Sequence, residues 1–296
     1  MHRSFTGIFT ALLLGFLAGC TSIPAQLELI SASAEQHQTT QYADCLPQQA
    51  ATLPARTAEP ALNPQRIAIL NWNVYKGQRT NWVEDFRHYS RAQDIILLQE
   101  ALLNETLESS LREQQLHWTL NHSFIYGVHE TGVLTAARIR PLTSCGLRIT
   151  EPLIRTPKTT LVQTYRVAGQ IEQLMVANIH GINFTLGTKV YAQQLHALQA
   201  ILERHRGPII LAGDFNNWSE ERKAVVDAMA THLQLDAIPY HNHNRTRVFG
   251  HTIDHIYYRG LEAISDQCID TTSSDHNPIH VLFRIPPTPP LTVAQP

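Results

Sequence analysis

The sequence of 296 residues has little cysteine and little lysine, and neither charge sign dominates it. Its four cysteines contain no Cys-x-x-Cys pair, so a thiolate zinc site is not expected. Lysine occurs four times against nineteen arginines, and the formal net charge is −2, so no overall basic field favours nucleic acid. Arginine is the better residue for bidentate phosphate contacts, although genomic composition bias explains the same ratio. The hydrophobic content of 43% is that of a globular protein with a core.

The chain also lacks an apolar run that would comfortably span a membrane, because the stretch from Ile8 to Leu17 is too short. Small residues then lead into a cysteine in the run Leu17-Ala18-Gly19-Cys20. This resembles a bacterial lipoprotein signal, in which the cysteine is lipidated and becomes the new N-terminus; an ordinary secretory signal is the alternative. No Asp follows Cys20, which resembles sorting to the outer membrane. We therefore expect an exported protein, lipid-anchored in the bacterial outer membrane and facing the periplasm or the exterior.

Export would place the mature chain in an oxidising compartment, where disulfides form. If Cys20 is acylated, three cysteines remain, which are Cys45, Cys145 and Cys268. An odd number allows at most one bridge among them, and the sequence does not select the pair.

The chain divides into four parts by composition. Residues 1–19 form the predicted signal, residues 20–63 are rich in Ala, Thr, Gln and Pro and predict a flexible tether, and residues 287–296 form a Pro-rich tail. Residues 64–286 alternate short apolar runs, typical of buried strands, with apolar side chains at helical spacing. The clearest strand candidates are Arg66–Trp72, Asp94–Leu98 and Ile209–Ala212, and one helix face carries Tyr191, Leu195, Leu198 and Leu202. Without a strict βαβ period, this mixture predicts one α/β domain with sheets covered by helices.

Polar side chains gather where the predicted strands begin or end. The clusters are Asn71-Trp72-Asn73, Gln99-Glu100, Asn178-Ile179-His180, Gly213-Asp214-Phe215-Asn216, Asp254 and Ser274-Asp275-His276-Asn277. Burying so many polar groups is costly unless they satisfy one another or bind a metal. Carboxylate and amide oxygens suit Mg²⁺ or Mn²⁺, and a metal beside Asp and His suits attack on a phosphate ester.

The order and spelling of these motifs resemble the endonuclease/exonuclease/phosphatase superfamily over about residues 66–284, and an unassigned bacterial branch of it in particular. The resemblance implies a four-layer α/β-sandwich of the deoxyribonuclease I-like type, with two mixed β-sheets face to face and helices outside. It also implies a monomeric, divalent-metal-dependent hydrolase, in which water attacks the phosphorus of a phosphodiester in line. Nucleic acid is the first predicted substrate. A lipid phosphodiester of the sphingomyelinase type, a phosphomonoester and a catalytically silent binding lipoprotein are the alternatives.

The resemblance assigns roles to matching positions. Glu100 and Asn73 match the residues that hold the metal and its water shell, and Asp275 matches a second carboxylate on the metal side. Asp214 would orient or deprotonate the attacking water, and Asn216 would hold a phosphate oxygen.

The remaining assignments concern the phosphate. Asp254 and His276 match an Asp–His pair, in which the carboxylate raises the imidazole pKa and the imidazolium stabilises charge on the pentavalent phosphate. His180 matches a strand-end histidine that contacts phosphate or acts as an acid. Further substrate-binding candidates, with a core tyrosine and a solvated loop as the alternative readings, are Tyr165, Arg245 and Arg247.

Overall fold

The computed structural model describes residues 21–33, 36–41, 45 and 59–287. The predicted signal with Cys20, parts of the predicted tether and most of the Pro-rich tail lie outside these residues. In chain order, the described strands are β1 (Thr21–Ser22), β2 (Glu28–Ser33), β3 (Gln36–Gln41), β4 (Ile67–Asn73), β5 (Ile95–Leu102), β6 (His117–Tyr126), β7 (His129–Ala137), β8 (Thr143–Thr150), β9 (Pro157–Tyr165), β10 (Leu174–His180), β11 (Ile209–Asp214), β12 (Asp236–Ala237), β13 (Arg247–Val248), β14 (His251–Thr252), β15 (Asp254–Arg259), β16 (Glu262–Cys268) and β17 (Ile279–Arg284). The helices are α1 (Trp82–Ser90), α2 (Glu105–Glu113), α3 (Lys189–Leu202) and α4 (Glu220–His232), and a short 3-10 helix covers Tyr75–Gly77.

Two mixed sheets lie face to face. The first is nine-stranded, in the order β16-β17-β4-β5-β7-β6-β2-β3, with β1 paired to β6. The second has six strands in the order β12-β15-β11-β10-β9-β8. The neighbours β4 and β5 are parallel, as are β10 and β11, whereas β9 and β15 run antiparallel to the strands beside them.

Each sheet is covered by helices because successive strand residues point to opposite faces. In β4, Ile67 and Ile69 enter the core between the sheets, whereas Leu70 packs outward in one cluster with Phe86 of α1 and Leu107 of α2. Helices α3 and α4 pack in the same way on the outer face of the second sheet. The predicted four-layer α/β-sandwich is confirmed.

The predicted flexible tether is wrong for part of its length. Strands β2 and β3 form a hairpin, and β2 extends the first sheet by pairing with β6. Leu29 of β2 is buried in a small cluster with Val133 and Leu161. The polar composition hid this hairpin because an edge strand needs few apolar side chains to join an existing sheet. Further along, Leu62 forms a β-bridge with Val167.

One disulfide joins the N-terminal segment to the second sheet. It links Cys45 to Cys145 of β8, and the third cysteine, Cys268, is free and buried. This selects the pair that the cysteine count left open. Within the described residues, no helix combines the length and the apolar character needed to cross a membrane.

Strand ends converge at one end of the sandwich, which we call the site end. The carboxyl ends of β4, β5, β10 and β11 meet there with the amino ends of β9, β15 and β17. The register places Asp214 opposite His180 on one side and opposite Asp254 on the other. Residues that are far apart in the chain are thereby brought to one place.

Candidate active site

A buried Asp–His pair forms one half of the site. Nδ1 of His276 lies 2.8 Å from Oδ2 of Asp254, and Nε2 of His276 lies 3.9 Å from Oδ2 of Asp214. Burial alone would lower the pKa of His276, but Asp254, aided by Asp214 and Asp275, raises this pKa to about 10. The ring is therefore an imidazolium at neutral pH, and it donates a proton from Nδ1 to Asp254.

The segment that carries His276 is fixed to the end of β4 by hydrogen bonds. The indole Nε1 of Trp72 donates to the backbone oxygen of His276 at 2.8 Å. The hydroxyl of Ser274 donates to the backbone oxygen of Asn73 at 2.7 Å. These contacts position the imidazole although it lies in a loop before β17.

Asp214 lies at the centre of the site. Burial raises the pKa of its carboxyl to about 6, against the attraction of the His276 charge and with a further increase from Asp254. Its Oδ2 accepts a hydrogen bond from Nδ2 of Asn73 at 3.1 Å, and its Oδ1 accepts one from the backbone N–H of Asn216 at 3.0 Å. A carboxylate with this pKa and fixed orientation is suited to accept a proton near neutral pH.

The turn after β11 depends on its glycine. Gly213 has φ +150°, and a Cβ at this position would overlap the backbone oxygen of Ile179 on the neighbouring strand. Asn216, at φ +49°, donates from its amide to the backbone oxygen of Gly181 at 3.0 Å. The Gly213-Asp214-Phe215-Asn216 run therefore holds both polar side chains at the sheet edge through local backbone geometry.

Glu100 lies on the other half of the site at a register irregularity of β5, where its φ is +51°. Its Oε2 pairs with the ammonium of Lys76 from the 3-10 helix after β4. Burial opposes ionisation, but the ammonium charges of Lys76 and Lys158 hold the pKa of Glu100 below its usual value. The carboxylate is therefore charged at any physiological pH.

His180 is buried at the end of β10, beside a lysine. Nζ of Lys158 lies 2.7 Å from Nε2 of His180. Burial, and next the Lys158 charge, hold the pKa of His180 well below its usual value. The ring is thus neutral and accepts from the ammonium, so its approaches to Glu100 at 3.9 Å and to Asp214 at 3.5 Å are not ion pairs.

Two groupings offer ligands for a divalent cation. Ligand atoms of Asp214, Asp254 and His276 lie within 4.8 Å of one another. Oδ1 of Asp254 is buried without a hydrogen-bond partner in the described structure, which a water or a cation would satisfy. However, a protonated His276 has no lone pair for a metal. This grouping therefore offers carboxylate oxygens alone.

Glu100 with Asn73 fits Mg²⁺ or Mn²⁺ better, because a charged carboxylate and an amide oxygen are hard ligands. Oε1 of Glu100 is not the oxygen that pairs with Lys76, and Oδ1 of Asn73 accepts a hydrogen bond from the backbone N–H of Tyr75 at 3.1 Å, which leaves a second lone pair. The predicted metal roles of both residues stay predictions.

Beneath the site, a second set of polar residues forms a neutral network between the sheets, which we call the amide layer. Nε2 of Gln99 donates to Oδ1 of Asn71 at 2.9 Å and to Oδ1 of Asn178 at 2.7 Å. Nδ2 of Asn178 donates to the backbone oxygens of Leu98 and Leu134. These three residues of the strand-end motifs thus bond to one another instead of facing the site, while Nδ2 of Asn71 and Oε1 of Gln99 have no hydrogen-bond partner in the described structure.

The structure brings together seven of the twelve predicted site residues. The seven are Asn73, Glu100, His180, Asp214, Asn216, Asp254 and His276. Asp275 is exposed next to His276 and raises its pKa from there. Cys20, predicted to be lipidated, lies outside the described residues.

Tyr165 was wrongly predicted to bind substrate. It pairs with Leu174 at the far end of β10, belongs to the core between the sheets and donates from its hydroxyl to Gln163 at 2.7 Å. Burial raises its pKa far above the usual value. The loose alignment of this position missed that β9 runs antiparallel to β10, which brings Lys158 and not Tyr165 to the site end.

The two predicted arginines lie before β15 and have other partners. The guanidinium of Arg245 lies 4.0 Å from the centre of the Tyr240 ring, and its Nη1 is 3.4 Å from Nδ1 of His255. Arg247 is exposed in the β13–β14 hairpin and donates to the backbone oxygen of Gly250. None of these contacts is with the residues that surround Asp214, so substrate contact by either arginine stays a prediction.

Sequence reasoning missed two lysines, Lys76 and Lys158. They make up half of the four lysines in the chain, and each ammonium contacts a polar residue of the site. The scarcity of lysine in the chain was the signal that could have identified both residues. Lys76 also lies three residues after Asn73, which was a second signal.

Comparison with known proteins agrees with this geometry. The model of the Endonuclease/Exonuclease/phosphatase family matches residues 70–276. The solved structure of the human Nocturnin catalytic domain with bound sulfate is similar with a TM-score of 0.59 at 21% identity, covering 77% of this chain and 97% of that one. A family protein from Leptotrichia buccalis has a TM-score of 0.56 at 21% identity, covering 73% and 98%. A mannosyl-6-phosphatase from Bacteroides thetaiotaomicron has a TM-score of 0.54 at 14% identity, covering 73% and 99%.

The family match covers most of the chain and includes the motifs from the end of β4 to His276. The chain therefore belongs to the endonuclease/exonuclease/phosphatase family, whose members are divalent-metal-dependent phosphoester hydrolases. At these identities, the solved structures support the fold and not a substrate.

Proposed function

We propose that this family member hydrolyses a phosphodiester by in-line attack of water. The observation that carries the proposal is the position of Asp214. Its carboxyl, with a pKa raised to about 6, lies between the charged Asp254–His276 pair and the neutral His180 that accepts from Lys158. A base and concentrated positive charge are the two things that water attack on phosphorus requires.

In this proposal, Asp214 orients the water and accepts its proton. Asn73 and the backbone N–H of Asn216 hold its two oxygens, so that the carboxylate does not rotate away from the attacking water. Positioning of this kind contributes to the rate because the reacting groups meet without a search for orientation.

Two cations would stabilise the phosphate as negative charge accumulates on its oxygens. His276 stays protonated through its bond to Asp254, and Lys158 is held by His180. The side-chain amide of Asn216 donates instead to the backbone oxygen of Gly181 and to Oδ2 of Asp214. The two cations are fixed before the substrate arrives, which is the condition for electrostatic stabilisation of a transition state.

Glu100 and Asn73 would hold Mg²⁺ or Mn²⁺, and the metal role of Asp275 stays a prediction. A bound ion of this type would polarise a phosphoryl oxygen and help neutralise the leaving group. Lys76 would keep the Glu100 carboxylate oriented and compensate part of its charge.

Nucleic acid is the first substrate to test, because nucleases are prominent in the family. A lipid phosphodiester is the second candidate, favoured by the exposed apolar side chains Val128, Phe184 and Leu186 at the site end. The near-neutral charge of the chain does not favour nucleic acid. Export and lipid anchoring through Cys20 in the outer membrane are part of the same proposal, supported by the signal-like first 20 residues.

A single set of assays tests the reaction. The full chain would be incubated with Mg²⁺ and, separately, with plasmid DNA, sphingomyelin vesicles, other phospholipid vesicles and a phosphomonoester. We expect cleavage of one phosphodiester, its loss on chelation and its loss in Asp214→Asn. Release of phosphate from the monoester alone would replace phosphodiester hydrolysis by phosphatase activity. No hydrolysis of any of these substrates, with Mg²⁺ or Mn²⁺, would contradict the proposal.

A further inference from the structure

Exposed large apolar side chains are concentrated at the site end of the sandwich. Of the eleven found among the described residues, only Ile171 and Ile264 lie elsewhere, in the β9–β10 turn and on β16. Monomeric proteins rarely expose contiguous apolar patches without an interaction to account for them. We define the apolar rim as the six of these side chains in three neighbouring segments, which are Tyr126, Val128, Leu153, Ile154, Phe184 and Leu186.

Direct contacts join two segments of the rim. Oε1 of the buried Glu151, at the start of the β8–β9 turn, accepts from the backbone N–H groups of Asn183 and Phe184. This ties the turn that carries Leu153 and Ile154 to the loop that carries Phe184 and Leu186. The exposed apolar side chains of these two segments therefore lie on loops that are bonded to each other.

The third segment is the tip of the β6–β7 hairpin, which carries Tyr126 and Val128. It is joined to β8 through the N-terminal strand: β1 pairs with the end of β6, and two residues later the backbone oxygen of Pro24 accepts from Arg148 at 2.9 Å. The hydroxyl of Ser123 in β6 also donates to the backbone oxygen of Pro157. The rim is thus one connected border.

The rim borders the catalytic groups directly. Lys158 follows Pro157 at the start of β9, directly after the turn that carries Leu153 and Ile154. His180 ends β10, three residues before Asn183 in the loop that carries Phe184. Oδ1 of Asn183 accepts from the indole of Trp218, whose ring lies 5.8 Å from that of the exposed Phe249. Whatever surface covers the rim therefore also lies beside Lys158 and His180.

The position of the N-terminal segment indicates what kind of surface covers the apolar rim. The described chain begins at Thr21, which pairs with Tyr126 of the rim itself. Cys20, the residue predicted to be lipidated, is the next residue towards the N-terminus. An acyl group at this position would enter a bilayer within one residue of the rim, and the exposed Arg155 beside Leu153 and Ile154 would meet lipid headgroups.

We propose that the site end of this protein docks on a lipid surface, with the apolar rim in the headgroup boundary and the active site facing the bilayer. The proposal deepens the proposed function, because it presents the same site to lipid phosphodiesters. The docking proposal also goes beyond the proposed function, because a docked rim fixes the orientation of the domain on the bilayer whether or not a phosphodiester bond is cleaved.

Fluorescence quenching tests the orientation without using activity. The full chain, reconstituted through its own N-terminus into phosphatidylethanolamine–phosphatidylglycerol vesicles with brominated acyl chains, would be compared as Val128→Trp and Ile171→Trp variants. Both positions are highly exposed, 81% and 99%, but Val128 lies in the rim and Ile171 at the opposite end. For a residue inserted about 5–10 Å into the boundary, we expect a blue shift and quenching at least about twofold stronger at 128 than at 171.

The outcomes separate docking from hydrolysis. We expect Val128→Trp to be quenched equally in an Asp214→Asn background, because docking does not require hydrolysis. Quenching at position 128 in a protein whose parent form hydrolyses none of the assayed substrates would overturn the proposed function alone. Equal quenching at positions 128 and 171, or quenching at neither, would overturn docking. Self-association of the protein in detergent that disappears in Val128→Asp/Leu186→Asp would assign the rim to a second copy of the chain and would likewise overturn it.

Discussion

The amide layer lies next to a cluster of ionisable side chains, which are Glu100, His180, Asp214, Asp254 and His276. The two groups share the strands β5 and β10, but their buried polar groups differ in charge. Gln99 and Asn178 belong to the layer, whereas Glu100 and His180, one and two residues further on, belong to the cluster. In the layer, neutral amides donate to one another and to backbone oxygens. In the cluster, carboxylates, imidazoles and ammonium groups have pKa values moved in both directions.

The difference indicates that the amide layer serves the stability of the fold, whereas the ionisable cluster serves chemistry. A neutral hydrogen-bonded network in a low-dielectric interior holds the two sheets in one relative position. A cluster of buried ionisable groups with shifted pKa values sets protonation states, which is the pattern of functional sites. Variants in the two regions should therefore affect different measurements.

The largest expected effect is that of Asp214→Asn. Loss of the proposed base should reduce kcat by roughly a thousandfold, which corresponds to about 4 kcal/mol. Thermal unfolding should change little or shift upward, because the variant removes a desolvated carboxylate. Activity would be measured with the substrate identified by the assays above, and circular dichroism would monitor unfolding. Unchanged kcat would exclude Asp214 from the chemistry.

The opposite result is expected for Asn178→Ala in the amide layer. It removes donors to two buried backbone oxygens and an acceptor of Gln99, so the free energy of unfolding should fall by about 2–4 kcal/mol. Urea denaturation would measure the loss, with Gln193→Ala on the exposed face of α3 as the control. The folded fraction should keep the parental kcat. A variant that was stable but inactive would show that the layer takes part in catalysis.

A smaller effect on the rate is expected for Lys158→Met. Loss of one phosphate-facing cation should reduce kcat about tenfold to a hundredfold. Because the Lys158 charge contributes to the lowered pKa of His180, that pKa should rise towards its usual value, which NMR titration of the ring would detect. Lys189→Met, at the exposed start of α3, is the matched control. An unmoved His180 titration would show that the ammonium does not act on the ring.

The last prediction concerns the pH dependence of stability. The pKa of His276 is raised from 6.5 in its ordinary state to about 10 when folded, so the pair with Asp254 stabilises the fold fully below about pH 6.5. This contribution is lost as the pH rises towards 10. Melting temperatures between pH 6.5 and 10 should therefore fall less in Asp254→Asn than in the parent. Parallel curves would mean that the imidazole is not charged in the folded protein.

The sequence predicted the residues of the ionisable cluster better than it predicted the strands at the edge of the first sheet. Asp214, Asp254 and His276 were identifiable because acid, amide and imidazole occur at strand ends in a recurring order. The hairpin of β2 and β3 was not, because its residues are polar and its partner, β6, lies about 90 residues away along the chain. Lys158 was missed for a related reason, since a lysine at the start of a strand is ordinary until β10 places His180 beside it.

By itself, the sequence determined the chemistry available to this protein. Local patterns of apolar residues define the strands, and glycine and amide residues at their ends define sharp turns with polar side chains. The tertiary structure alone decided which of these side chains share a site. Gln99 and Glu100 are adjacent in the chain, yet alternation across the β5 irregularity sends one into the amide layer and the other to Lys76. The protonation states of His180 and His276 likewise depend on burial and on charges from distant strands, which no local pattern contains.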